Sequence, residues 1–104
     1  MTYYARSADR ERQLVRFLRQ LGFVAYRTPA SKGAADVIAM GHEKIYLYQI
    51  KTGGSSAFSG FGPADRERLR DEETRAGKNC RAALVWWKKN AREPVVIYSQ
   101  DWPE

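Results

Sequence analysis

Hydrophobic and polar positions change period several times along the chain, and each change marks an element. Residues 8–21 place Leu14, Val15, Phe17, Leu18 and Leu21 on one stripe and Arg12, Arg16 and Arg19 on the other side, the spacing of an amphipathic helix. Ser7 suits the N-cap of that helix, Asp9 and Glu11 fall in its expected first turn, and Gly22 supplies a left-handed stop with Phe23 placed to pack back. Residues 23–28 read as a strand ended by Pro29. Residues 30–34 then form a short loop, small and basic enough to approach a phosphate. Beyond Asp36 the period falls to two: residues 37–40 and 45–50 are apolar runs around a polar turn at residues 41–44, the pattern of two paired strands.

Residues 52–63 read T-G-G-S-S-A-F-S-G-F-G-P, and their four glycines and three serines predict a mobile loop. Phe58 and Phe61 have no core periodicity there. They either anchor the loop or stand exposed to touch DNA bases or a second subunit. Pro63 suits the first turn of a helix over residues 64–76 that stops at Gly77. Leu69 is its only large apolar residue, so this helix is expected to be largely solvated or to lay one face on a partner. Residues 81–87 form a strand apolar on both faces, and residues 95–99 a further strand beside it. The order helix, three strands, helix, strand, strand implies an α/β fold: a mixed central sheet flanked by helices.

Length and composition narrow the reading. A chain of 104 residues with 43% hydrophobic content is sized for one core, so residues 1–104 are expected to form a single domain. No apolar run approaches a membrane span and the N-terminus has no signal-peptide core, which predicts a cytoplasmic protein without a membrane partner. The one cysteine, Cys80, is expected to pack; with one histidine, His42, it leaves no zinc site and no Cys-His pair. The glycines lack a GxxxxGK phosphate loop, and no organic cofactor is expected. Net charge is +6, and residues 1–51 carry nine Lys/Arg against four Asp/Glu, whereas residues 52–104 carry nine against eight. The basic surplus therefore sits on the half with the hairpin, and arginine outnumbers lysine 12 to 6, which suits phosphate oxygens.

The hairpin has its own chemistry. If its turn centres on His42 and Glu43, residues whose numbers sum to 85 face each other, and Asp36 lies opposite Gln49 with the Cβ atoms roughly 5 Å apart. Lys51 shares that face, so a carboxylate, an amide and an ammonium converge beside the apolar Ile38, Ile45 and Leu47. The plain alternative is an edge hairpin with a solvated polar end. Glu11 continues the buried stripe of the first helix, where a carboxylate needs a partner or a metal; a first-turn acid salt-bridged to an arginine fits the same position. Arg27 leaves its strand just before the basic loop, or is a surface arginine on an edge.

Asp36, twelve intervening residues and then Gln49-Ile50-Lys51 resemble the D…(D/E/Q)-x-K motif of the PD-(D/E)XK nuclease superfamily. With Glu11 on a leading helix and Arg27, Ser31 and Lys32 before the aspartate, residues 8–87 are similar to the archaeal-type Holliday junction resolvases, some of them phage-encoded. Two positions depart from the pattern: Ala35 replaces the proline of the motif, and Gln49 its usual glutamate. The resemblance implies a restriction-endonuclease-like αβββαβ core and a metal-dependent endodeoxyribonuclease acting on branched DNA as a homodimer, in the cytoplasm of a host if phage-encoded. It implies Glu11, Ser31, Asp36, Gln49 and Lys51 as catalytic residues, with Mg2+ or Mn2+ held by Glu11, Asp36, Gln49 and the backbone carbonyl of Ile50. Arg10, Arg27 and Lys32 are then the DNA-binding residues. A nickase or restriction-like nuclease of the same superfamily, or a DNA-binding module that lost catalysis through Gln49, are the rival readings. For the dimer, Trp86, Trp87, Val96 and Tyr98 promise more apolar surface on the last strands than a chain of this size buries.

Overall fold

The computed structural model describes residues 3–28 and 34–104, without the side chains of residues 3–6. In chain order it has helix α1 (Tyr3–Gln20), strands β1 (Val24–Arg27), β2 (Val37–Gly41) and β3 (Lys44–Thr52), helix α2 (Pro63–Ala76), strands β4 (Cys80–Trp87) and β5 (Val95–Tyr98), and a single 3-10 turn at Ser99–Asp101. The five strands lie side by side in sequence order. β1, β2 and β3 form an antiparallel meander, β4 runs parallel to β3, and β5 returns antiparallel. The parallel step from β3 to β4 needs a crossover, and α2 provides it. The mixed sheet flanked by helices is the α/β architecture that the order of elements predicts.

The strand period sorts the core into two layers. Val37, Ala39, Tyr48, Ile50, Ala83, Val85 and Trp87 face α1, against Leu14, Val15 and Leu18. The alternate residues Leu47, Cys80, Ala82 and Leu84 face α2, against Leu69, Phe61 and Trp102. Cys80 is buried and packs, as expected.

The β2–β3 hairpin pairs Val37 with Tyr48, Ile38 with Leu47 and Gly41 with Lys44, every pair summing to 85. His42 and Glu43 both take positive φ, 54° and 65°, which closes a two-residue turn whose twist matches the strands. Gly41 is required beside it because a Cβ there would lie 2.9 Å from the Phe23 ring.

Four expectations are corrected. α1 begins at Tyr3, before Ser7, so Ser7 is not a cap and Asp9 and Glu11 lie in the helix body and not in its first turn; residues 3–6 contain no breaker to oppose that extension. Phe17 and Leu21 do not join the buried stripe but stay more than half exposed. Residues 53–62 are folded back on the sheet: Phe61 is 1% exposed and stacks edge-on against Trp102, and Trp86 Nε1 donates to the Gly53 carbonyl at 2.7 Å. The two phenylalanines are therefore anchors and not exposed aromatics, with Phe58 packed against the same layer. α2, finally, is not simply solvated. Besides Leu69 it docks through polar arms that reach backbone: Arg66 donates to the Phe61 carbonyl, Arg70 to the Ser99 carbonyl, and Glu72 and Glu73 accept from the Ala34 and Ala82 amides.

Candidate active site

Asp36 sits at the entry of β2, where the chain is tied on both sides. Its amide donates to the Tyr48 carbonyl at 2.8 Å, and its own carbonyl accepts from the Thr28 amide at 2.9 Å. The carboxylate reaches across to β3, and Oδ2 accepts from the Ile50 amide at 2.9 Å. One oxygen is thus fixed by backbone, and the residue lines a cleft that also takes residues from α2. Burial pushes the Asp36 carboxyl above its ordinary range, opposed by the Ile50 hydrogen bond; the charge of Glu11 adds to the rise, and Lys51 and Arg27 oppose it.

Gln49 and Lys51 follow on the same face of β3. With Asp36 they line a cleft of about 180 Å3, whose remaining walls are Ala34 and, from α2, Asp65 and Arg68. Gly60 lies along the lysine stem, where an added Cβ would come 3.5 Å from Lys51 Cδ. The side chain of Ile50 points away into the α1 layer, leaving only its main chain near the carboxylate.

Glu11 and Arg27 lie on the other side of Asp36. Glu11 Oε1 accepts from Arg27 Nε at 2.9 Å, with the two side chains 16% and 39% exposed. The stripe position of Glu11 is therefore satisfied by an arginine, one of the two partners that its sequence position allows. Arg10 donates to Gln13 and stacks its guanidinium 4.1 Å from the centre of the Trp87 ring. Ser31 and Lys32 lie outside the described residues. The structure thus gathers Asp36, Gln49 and Lys51 in one cleft, puts Glu11 and Arg27 beside it as a pair, and places Arg10 on Trp87.

Sequence reasoning missed Asp65 and Arg68. The signal was present: residues 65, 68 and 72 are spaced along one helical face, and Glu72 brings that face onto residue 34 by accepting from the Ala34 amide at 2.9 Å. No group of three or more His, Cys, Asp or Glu that would hold a metal is found among the described residues. The cleft nevertheless offers hard donors, carboxylate and amide oxygens with no sulfur or imidazole, and that set fits a magnesium-like cation and not zinc.

A carboxylate at the start of one hairpin strand, with an amide and a lysine two residues apart on the next, set on a mixed sheet between two helices, is the arrangement of the PD-(D/E)XK nucleases. Residues 2–59, more than half of the chain, match the family model for archaeal Holliday junction resolvases (Hjc). The chain belongs to that family, whose members are junction-resolving nucleases that bind branched DNA and in general depend on a divalent metal. Its fold is similar to the structure of Archaeoglobus fulgidus Hjc, a Holliday junction resolvase from an archaeal hyperthermophile. The TM-score is 0.74 over 95% of this chain and 79% of that one, at 17% identity. No curated protein matches the chain.

Proposed function

We propose that this chain, acting as one nuclease domain, is a magnesium-dependent endodeoxyribonuclease that resolves four-way DNA junctions, with Asp36, Gln49 and Lys51 at its reactive centre. The observation that carries this reading is their convergence in one cleft of a family member. A free oxygen of Asp36, the amide oxygen of Gln49 and the main-chain carbonyl of Ile50 would hold the cation. When bound, it polarises a phosphate oxygen and makes the attacking water more acidic. Lys51 sets an ammonium on the same face, where it orients that water and opposes the negative charge that grows on the phosphate.

Arg27 holds Glu11 in the DNA-free protein. A phosphate bound at Arg27 would compete for the guanidinium and free the Glu11 carboxylate to serve as a further donor. Ser31 and Lys32 are assigned to the scissile phosphate, and Arg10 to the backbone of a neighbouring arm. Symmetric cuts on a four-way junction need two such sites, which a two-fold homodimer supplies. Action in the cytoplasm belongs to the same reading; no helix among the described residues is long and apolar enough to cross a membrane.

The test compares a fixed four-way junction with its linear duplex, with and without magnesium. Asp36→Asn should abolish cutting while leaving junction binding near normal, because binding rests on basic side chains and phosphates. Cleavage by that variant near the wild-type rate removes Asp36 from the site, and cutting that continues in chelator overturns the metal requirement. A second reading, a junction-binding module without catalysis, is favoured by two observations: Gln49 lacks a charge, and Glu11 is engaged by Arg27. It predicts a junction that is bound and uncut at every magnesium concentration.

A further inference from the structure

The cleft contains a carboxylate that lies outside the hairpin motif. Asp65 comes from the first turn of α2 and lines the same cavity as Asp36, Gln49 and Lys51. Its helix is not free to turn away, because Leu69 is fully buried on that side and Glu72 is bonded to the Ala34 amide, two residues before Asp36. Asp65 takes part in none of the ion pairs formed among the described residues; the nearest of these on its helix joins Asp71 to Arg75.

Charge decides what Asp65 does there. Lys51 and Arg68 bring two positive charges to the cleft, Asp36 brings one negative charge, and Gln49 brings none. Glu11 is neutralised by Arg27. Without Asp65 a divalent cation would enter a cleft of net positive charge, where like-charge repulsion opposes binding. With Asp65 the fixed charges balance, and the cation gains a second carboxylate beside that of Asp36.

We propose that Asp65 is a ligand of the divalent-cation site, supplying from α2 the carboxylate that β3 lacks at Gln49. The proposal rests on the reading of Asp36 and Gln49 as metal donors. Asp65 also stands at the third helical position, where a negative charge favours the helix dipole in any case. The experiment must therefore separate a ligand from a helix-stabilising acid.

Manganese is the probe, titrated by isothermal calorimetry and by loss of the free-ion electron paramagnetic resonance signal into the full chain without DNA. Four single variants and one double variant are compared with wild type. Asp65→Asn should weaken manganese binding by about tenfold or more, since loss of a group that only orients a ligand already costs about 10–100-fold. Asp71→Asn, which removes a charge from the same helix away from the cleft, should bind like wild type. Gln49→Glu should tighten binding, and in the double variant with Asp65→Asn it should restore affinity towards the wild-type value. A helix-dipole role predicts no such rescue. Melting in chelator reports folding separately and should change little for Asp65→Asn. If Asp65→Asn binds manganese like wild type while Asp36→Asn does not, Asp65 is no ligand and the proposal is overturned with the main site intact. If Asp36→Asn also binds like wild type, the reading of the site itself fails.

Discussion

At residue 49 the hairpin carries an amide where the motif usually has a carboxylate. The paired register ends at Val37 and Tyr48, and the Asp36 amide bonds the Tyr48 carbonyl. Gln49 therefore shares the cleft with Asp36 without standing in the opposed register that the sequence pattern predicts. Two like charges lining one cleft repel each other, and here one of them is already resisted by burial. Glutamine removes that repulsion from the metal-free protein and lowers the charge available to a cation. Gln49→Glu should therefore reduce stability in chelator by about 1 kcal/mol or less, in line with the range for unfavourable cross-strand pairs. It should also make the melting temperature rise more steeply with added magnesium, since a ligand that binds only the folded state stabilises it in proportion to its affinity. Cleavage should then need less magnesium. Superimposable magnesium curves for the two proteins, read by melting and by cleavage rate, would remove residue 49 from the ligand set.

At the scale of elements, the way α2 is attached separates what periodicity reveals from what it hides. β5 pairs with β4 only from Ala83 to Trp86, so the Ala82 amide has no strand partner on that side. Glu73 fills the gap: Oε2 accepts from the Ala82 amide at 2.6 Å, and the carboxylate also accepts from the Ser99 hydroxyl at 2.9 and 2.8 Å. Glu73→Ala leaves that amide without an acceptor and should cost about 1–3 kcal/mol. Each kcal/mol corresponds to a fall of roughly 4–8 °C in the melting midpoint of a domain this size. Glu67→Ala, on the exposed side of the same helix, should change little. Equal melting temperatures for the two variants would mean that Glu73 does not hold α2 to the sheet. The hairpin register was legible because period-two alternation and a two-residue turn leave one pairing that keeps Val37 and Ala39 in the core. The docking of α2 was not, because a sequence pattern weighs apolar positions and α2 binds through Glu72, Glu73, Arg66 and Arg70 to backbone groups. Asp65 was hidden for the same reason: its place in the cleft depends on the angle at which those arms set the helix. The start of α1 is not legible because a serine that suits a cap also fits a helix interior when the residues before it are helix-compatible.

At the scale of the molecule, the sheet ends in two different edges. β1, which ends in Arg27, lies at one edge, and β5 lies at the other. Exposed apolar side chains gather at both: Val24, Tyr26 and Met40 near β1, and Val95, Val96 and Tyr98 on β5. The tryptophans expected to enlarge the second group do not, since Trp87 is buried under Arg10 and Trp86 is half-buried against the loop. A dimer built on β1 would bring the interface to Arg27 and its partner Glu11, whereas one built on β5 lies at the opposite edge of the sheet from them. Val96 and Tyr98 face the same side of β5, so a two-fold axis there would lay each pair against its copy and bury apolar surface that water now reaches. Light scattering at micromolar concentration should report twice the 11.9 kDa chain mass for wild type. Val96→Lys, which sets like charges against each other across the axis, should return the single-chain mass without lowering the melting temperature of the subunit. Met40→Lys should remain dimeric. If Met40→Lys is the variant that dissociates, the interface lies at β1. A wild-type monomer that still cuts a junction symmetrically would end the dimer proposal altogether.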